Sequence, residues 1–120
     1  MTTTKEFAAL VRKLALRADP ARAPGWETTL GLSIAGLPWL SLSASQHGIA
    51  VEDWGGDRSS VKTEIEMSEA GLRSWLMGGV DYTHLLKRGE IELRSGNQFD
   101  LLLLSKSFGL RPERRQEVAP

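Results

Sequence analysis

Two histidines, His47 and His84, are the side chains of this 120-residue chain best suited to proton transfer near neutral pH. An imidazole changes its charge between about pH 5 and 8, and it can serve as an acid, a base or a metal ligand. His47 falls in a predicted hairpin turn and His84 on a predicted short helix, and neither has a ligand-type partner at helical spacing. We therefore expect both histidines to be solvated or hydrogen-bonded structural residues.

The other reactive side chains form no catalytic or metal-binding pattern. The chain has no cysteine, which excludes a disulfide framework, a thiolate nucleophile and cysteine-ligated metals. Its serines lack the Gly-x-Ser-x-Gly turn, and its glycine pairs lack phosphate-loop spacing. Lys62, Glu64 and Glu66 alternate along one strand and are interpreted as its solvated face. We predict no metal, no cofactor and no catalytic residue from these patterns.

The charge balance argues against a nucleic-acid partner. Fifteen basic and fifteen acidic residues leave no formal net charge, whereas binding to phosphates needs an excess of Lys and Arg. The charges are uneven along the chain, however. The N-terminal segment is basic (Lys5, Arg12, Lys13, Arg17, Arg22) and the middle is acidic (Glu52, Asp53, Asp57, Glu64, Glu66, Glu69). Two solvated faces are the simpler interpretation, and weak contact with an anionic membrane surface is the alternative.

The hydrophobic segments are too short for membrane insertion. The first residues, Met-Thr-Thr-Thr-Lys-Glu, lack the apolar core of a signal peptide, and no apolar run approaches the ~20 residues that span a bilayer. We expect a cytoplasmic location. The length predicts one domain over residues 1–110, followed by a flexible charged tail over residues 111–120.

Hydrophobic periodicity predicts an α+β domain. An amphipathic first helix, capped by one of Thr2 to Thr4, carries Phe7, Leu10, Val11 and Leu14. From Trp26 the period changes to two, and four strands joined by short loops predict an antiparallel meander with one wet face. A helix capped by Ser68, a shorter helix capped by Asp81, a fifth strand and a last helix follow. Together these elements predict a five-stranded, mostly antiparallel sheet with helices on one face.

Apolar surface in excess of a single core face is the most unusual feature of the sequence. The last helix offers Phe99, Leu102 and Leu103 on one side, and Leu101, Leu104 and Phe108 on another. A surface helix of a globular protein normally needs only one apolar stripe. Both sides could be core, or one could form a homodimer contact. The functional interpretation is that one side packs on the sheet and the other lines an apolar cavity. In addition, Trp39 is expected to cover the far side of the sheet.

The ordered motifs resemble those of the sterol-carrier-protein lipid-binding domains. The resemblance extends from Thr28 to Leu110, and its motifs are Ile65–Leu72, Gly78–Asp81, Gly89–Leu93 and Gly96-Asn97. Four departures accompany it: Tyr82 replaces a proline, Leu85 a small alanine and Glu90 a lysine, and one extra residue separates Gly89 from Gly96. The extra residue predicts a bulge or a longer turn. The larger Leu85 side chain would reduce a cavity, which argues against a sterol as the ligand.

The resemblance implies a sheet covered by helices that encloses an apolar tunnel, in which a fatty acyl chain, a lipid or a similar small apolar ligand binds without covalent chemistry. Each buried CH₂ of such a ligand contributes about 0.8 kcal/mol, so a long chain binds without a charged anchor. The predicted lining residues are Leu72, Trp75, Leu76, Leu86, Phe99, Leu102, Leu103 and Phe108.

Two alternatives stay open at the level of sequence. The chain could be an enzyme, or the accessory subunit of one, that acts on an apolar substrate in the same pocket. Asp81, Tyr82 and His84 would then be the acid or base groups at the rim. The apolar excess could otherwise be a homodimer interface, in which case no internal void is expected.

Overall fold

A computed structural model describes residues 4–77 and 79–110. It contains four α-helices, α1 (Thr4–Leu16), α2 (Glu69–Leu76), α3 (Tyr82–Arg88) and α4 (Gln98–Phe108), and five strands, β1 (Thr28–Ile34), β2 (Leu37–Ser45), β3 (Gly48–Asp53), β4 (Thr63–Met67) and β5 (Ile91–Ser95). The predicted tail, two of the three candidate cap residues (Thr2 and Thr3) and Gly78 lie outside the described residues, whereas Thr4 is the first residue of α1.

Side chains at the helix ends explain where three of the helices begin. The Ser68 hydroxyl accepts a hydrogen bond from the Gly71 amide, and the Asp81 and Asn97 side chains accept from the Thr83 and Phe99 amides. These bonds satisfy amide groups that a helix leaves without internal partners at its first turn. The caps predicted at Ser68 and Asp81 are therefore confirmed. Helices α3 and α4 end at glycines in the left-handed conformation.

The sheet is mixed, because one pair of its strands is parallel. Its order is β3-β2-β1-β4-β5, and β1 pairs with β4 in parallel while every other pairing is antiparallel. The predicted meander therefore holds for the first three strands and is wrong for the fourth. Because β3 occupies an edge of the sheet, residues 54–62 must cross the sheet before β4 can pair with β1. The predicted class, α+β with a mostly antiparallel five-stranded sheet, is confirmed.

The crossing segment covers part of the face that was expected to be wet. The Trp54 ring lies over Gly31 of β1, where an added Cβ atom would be 2.8 Å from the ring, and Trp54 is only 7% exposed. Arg58 forms an ion pair with Glu64 at 2.8 Å, and the Glu64 side chain is buried. The interpretation of Glu64 as a solvated residue is therefore wrong. Trp54 covers this face over Gly31, whereas Trp39, expected there, is half-buried and packs against the core cluster.

The opposite face of the sheet carries the single core. Leu30, Leu32, Leu40, Leu42 and Ile65 are each at most 1% exposed, and they pack with the buried sides of all four helices. Helix α1 contributes Phe7 and Val11 and contacts β3.

Hydrogen bonds of the Asp100 side chain join α4 to other parts of the domain. The Asp100 carboxylate accepts hydrogen bonds from the Trp26 indole at 2.9 Å and from the Thr63 hydroxyl at 2.5 Å.

A β-bulge in β5 accounts for the extra residue between Gly89 and Gly96. Ile65 pairs with Leu93, but the preceding Glu64 pairs with Ser95, so Arg94 has no partner in the register. The predicted bulge is thereby confirmed. Such a bulge bends an edge strand and interrupts the ladder that a neighbouring chain could extend.

Candidate functional site

Helix α4 has a buried side and an outward side, as its sequence predicts. Leu101 and Leu104 are 0% exposed and Phe108 is buried, and all three belong to the core. Phe99 is 57% exposed, while Leu102 and Leu103 are half-buried. Only one of the two apolar stripes on this helix is therefore buried in the core, and the other remains at the surface.

A half-open cleft lies beside the outward side of α4. Its volume is about 430 Å³, within the size range of small-molecule sites. One wall is α4, and the other is the end of α2, the connection between α2 and α3, and the first turn of α3. The lining residues that the structure describes are Trp75, Leu76, Met77, Gly79, Val80, Asp81, Tyr82, Thr83, Leu102, Ser105, Lys106, Gly109 and Leu110. The predicted enclosed tunnel is not shown, since this space opens to solvent.

The floor of the cleft is held by Trp75. Its indole nitrogen donates a hydrogen bond to the Ser105 hydroxyl at 2.9 Å, which joins α2 to α4 across the buried interior. The Phe108 ring lies 6.1 Å from the Trp75 ring, at an interplanar angle of 38°. Because the indole N–H has a partner, the large Trp75 ring offers the cleft an apolar surface without a buried unsatisfied donor.

The rim holds two of the three candidate acid or base groups. Asp81 and Tyr82 line the cleft, whereas His84 is exposed on α3 and does not. Partial burial raises the pKa of the Tyr82 phenol, the negative charge of Asp81 raises it further, and a hydrogen bond with Gln98 lowers it in part. The Asp81 carboxylate accepts the Thr83 amide hydrogen bond as the cap of α3. Tyr82 is thus a neutral hydrogen-bonding group at ordinary pH.

The structure brings only some of the predicted lining residues to the cleft. Trp75, Leu76 and Leu102 line it. Leu72 is 0% exposed in the core, and Phe108 lies behind Trp75. Leu103 and Phe99 lie on the outward side of α4 but do not line the cleft, and Leu86 borders a shallow depression beside β5. Whether any of these residues contacts a ligand stays a prediction.

Several lining residues were absent from the predicted set. Met77, Val80 and Leu110 flank helix ends, so helical periodicity gives no signal for them. Ser105 and Lys106 are polar, so a prediction based on apolar side chains does not include them. One signal was available: Gln98, Leu102, Ser105, Lys106 and Gly109 recur at helical spacing and mark one stripe of α4.

The described residues form neither a metal-binding cluster nor a membrane-spanning helix. Within residues 4–77 and 79–110, no group of three or more His, Cys, Asp and Glu side chains is arranged to hold a metal ion. None of the helices described is both long and apolar enough to cross a membrane.

The arrangement of a mixed five-stranded sheet and four helices is similar to the fold of sterol carrier protein 2 domains. The resemblance that the sequence motifs indicate is therefore confirmed at the level of the fold. A crystal structure of sterol carrier protein 2 matches with a TM-score of 0.57 and 25% identity, over 84% of this chain and 86% of that one. Palmitated SCP2L2 from Aedes aegypti matches with a TM-score of 0.61 and 16% identity, over 87% of this chain and 95% of that one.

The same fold also occurs within a much larger enzyme. The stereoselective inverting sec-alkylsulfatase Pisa1 from Pseudomonas sp. matches with a TM-score of 0.65 and 21% identity. The match includes 83% of this chain but only 15% of the alkylsulfatase, so the chain spans about one seventh of that enzyme. No protein-family model and no curated protein matches the sequence.

Proposed function

We propose that this protein is a noncatalytic cytoplasmic module that binds or carries a small apolar ligand, a fatty acyl chain or a similar lipid, in the cleft beside α4. The observation that carries the proposal is the unpartnered apolar stripe of α4, one residue of which, Leu102, lines a cleft together with Trp75 and Leu76. A relative with this fold that carries palmitate supports the choice of ligand class.

Burial of methylene groups supplies the affinity in this proposal. A ligand such as decanol could bury several CH₂ groups against Trp75, Leu76 and Leu102, each contributing about 0.8 kcal/mol. Part of this free energy is offset by lost motion of the ligand, and an open cleft leaves part of the chain in water. We therefore expect a dissociation constant on the order of 100 μM or tighter for decanol.

The arrangement of the rim favours binding over catalysis. Tyr82 has a raised pKa, which makes it a poor base at neutral pH, and the Asp81 carboxylate is engaged as a helix cap. A general base must be able to take a proton from a substrate within hydrogen-bonding distance. Among the described residues that line the cleft there is also no histidine.

Two positions on α4 provide the test. Leu102 and Leu103 are both half-buried leucines of one helix, but only Leu102 lines the cleft. Decanol binding, measured by isothermal titration calorimetry, should weaken about tenfold in Leu102→Asn, since apolar contact is lost and a polar group is introduced. In the matched control, Leu103→Asn, the dissociation constant should stay within about twofold.

Three results would contradict the proposal. They are no decanol binding to the unmodified protein up to millimolar concentrations, equal effects of the two substitutions, and turnover of a lipid ester by the protein alone. Circular dichroism and thermal unfolding would show that both variants remain folded.

The alkylsulfatase match favours a second candidate, in which the cleft serves an enzyme rather than acting alone. In that candidate the module holds the apolar part of a substrate beside a catalytic domain, as the accessory-subunit alternative supposes. The observation behind it is that the fold occurs as a small part of an enzyme whose name describes alkyl sulfates. Alkyl sulfate binding without hydrolysis by this chain would agree with both candidates, whereas hydrolysis would contradict both.

A further inference from the structure

Methionine occurs in two opposite settings in the part of the chain that the structure describes. The chain has three methionines, of which Met1 lies outside the described residues. Met67 is in β4, belongs to the core and is 1% exposed. Met77 directly follows α2, lines the cleft beside α4 and is 57% exposed. One methionine is therefore shielded by the core, and the other meets solvent at a wall of the candidate site.

The backbone of Met77 is held in place, while its side chain is open to dissolved reagents. The Met77 amide donates a hydrogen bond to the Arg73 carbonyl oxygen at 2.8 Å, which completes the last turn of α2. This bond involves main-chain atoms alone, so a chemical change in the side chain leaves it intact. Trp75 and Leu76 line the same cleft but are buried. Of these three neighbours, Met77 is the one that a small molecule in solution can reach.

The thioether of methionine reacts with peroxides. A sulfur lone pair attacks one oxygen of hydrogen peroxide, so that an S–O bond forms and the O–O bond breaks. The hydroxide that leaves takes up the proton of the oxygen now bound to sulfur, which gives water. Sulfur is oxidised by two electrons and the peroxide is reduced by two. The product, methionine sulfoxide, has a polar group where the thioether was apolar and flexible.

We propose that Met77 is a modification site for peroxide, and that its conversion to the sulfoxide lowers the affinity of the cleft for an apolar ligand. The inference rests on the proposed function, because it concerns ligand binding in the same cleft. The unmodified thioether adds adaptable apolar surface beside Trp75 and Leu76. The sulfoxide oxygen binds water, and a hydrocarbon chain that covered it would remove this water without offering a hydrogen bond in return.

The competing interpretation is that Met77 is an ordinary surface residue. Oxidation of methionine is a common lesion, so the formation of a sulfoxide at an exposed position is not by itself evidence of a role. The two interpretations differ in the dissociation constant of an apolar ligand after Met77 has been oxidised. They also differ in whether that constant recovers when the sulfoxide is reduced.

The first measurement locates the reactive methionine. When the folded full chain is treated with dilute hydrogen peroxide, peptide mass spectrometry should find that sulfoxide forms roughly tenfold faster at Met77 than at Met67. In urea, where the core no longer shields Met67, the two rates should become similar. Equal rates in the folded protein would overturn the assignment of Met77 as the reactive site.

The second measurement follows binding of decanol by isothermal titration calorimetry. Decanol should bind the oxidised protein roughly fourfold more weakly, as expected when the contact of about one buried methylene group is lost. Methionine sulfoxide reductases for both epimers, supplied with a dithiol, should restore the original dissociation constant. Met77→Leu should show the same constant before and after peroxide treatment. The matched control is Met67→Leu, a volume-conserving change in the core, which should respond to peroxide as the unmodified protein does.

The outcomes separate this inference from the proposed function. If decanol binds equally well before and after Met77 is oxidised, the inference is overturned and the proposed function stands. If Met77→Leu loses affinity on treatment as much as the unmodified protein does, oxidation elsewhere is responsible and the inference is overturned as well. If decanol does not bind the untreated protein, both fail. Circular dichroism and thermal unfolding should show that the oxidised protein stays folded, and a loss of binding that accompanies unfolding would count against the inference.

Discussion

Tyr82 departs from the sterol-carrier-protein motif, and the pKa of its phenol is a measurable property of the cleft. It stands where the family pattern has proline, at the first position of α3, and its side chain faces α4. Because it is the only tyrosine of the chain, its ionisation can be followed without interference from another phenol.

We predict that Tyr82 titrates above the ordinary tyrosine value of 10.0 in the folded protein. Burial disfavours the charged phenolate, and the nearby Asp81 carboxylate repels it. Tyrosinate absorbance followed against pH should give a higher midpoint for the native protein than for the protein in urea. Asp81→Asn, which can still cap α3, should bring the native midpoint closer to the ordinary value.

The same shift has a consequence for stability, and its sign follows from proton linkage. A raised pKa means that the folded state holds its proton more tightly than the unfolded state does, so this contribution is present below pH 10. As the pH rises through the folded-state pKa, the contribution is lost and the free energy of unfolding falls. A native midpoint at or below that of the denatured protein would contradict the prediction.

At the scale of elements, the approach of α2 to β5 depends on the absence of a side chain. Gly71 is in α2, and an added Cβ atom there would contact the Glu90 carbonyl oxygen and lie 3.0 Å from the carbonyl carbon. The Ser68 amide also donates a hydrogen bond to the Glu90 carbonyl oxygen at 3.0 Å. The backbone at Glu90 is therefore held by Ser68, just before α2, and lies directly against Gly71 within α2.

We predict that Gly71→Ala destabilises the protein even though alanine favours a helix by about 1 kcal/mol over glycine. Relief of the clash requires backbone movement, and overpacking of this kind costs typically about 1–3 kcal/mol. Urea unfolding should therefore show a net loss. Gly55→Ala is the control, since no atom lies within 4 Å of a Cβ there and its conformation suits alanine. A more stable Gly71→Ala variant would show that α2 shifts away from β5 at little cost.

At the scale of the whole molecule, the filling of the interior decides where a ligand can bind. Leu85 is 0% exposed and belongs to the core, at the position where the family motif has a small alanine. The larger side chain occupies space inside the domain, and the cleft beside α4 opens to solvent.

We predict that Leu85→Ala costs about 2–5 kcal/mol of unfolding free energy and opens an apolar void. Such voids stay dry and accept small apolar molecules, so benzene should raise the thermal midpoint of this variant and leave that of the unmodified protein unchanged. Leu86→Ala, at the half-buried neighbouring position, should cost less and show no response to benzene. If benzene had the same effect on the thermal midpoints of Leu85→Ala and Leu86→Ala, the domain would have collapsed around the Leu85 site and the predicted void would be absent.

Local sequence signals determined the elements of this domain and much of its class. Alternation along β1 and β2 and the caps at Ser68 and Asp81 could be read along the chain, because each depends on neighbours within a few residues. The Arg94 bulge was predicted only by comparison with the spacing of the sterol-carrier-protein motif. The two sides of α4 were also predicted, since helical geometry alone separates Leu101 and Leu104 from Leu102 and Phe99.

The tertiary structure alone decided the strand order, the burial of Glu64 and the composition of the cleft. Periodicity tells which side of an element is apolar, but it does not tell which element will cover that side. The crossing segment with Trp54 buries Glu64, and the end of α2 and the start of α3 close one wall around Leu102. Arg22 meets Lys106 across 84 positions of sequence. Contacts of this kind arise from the path of the whole chain, and no local pattern encodes them.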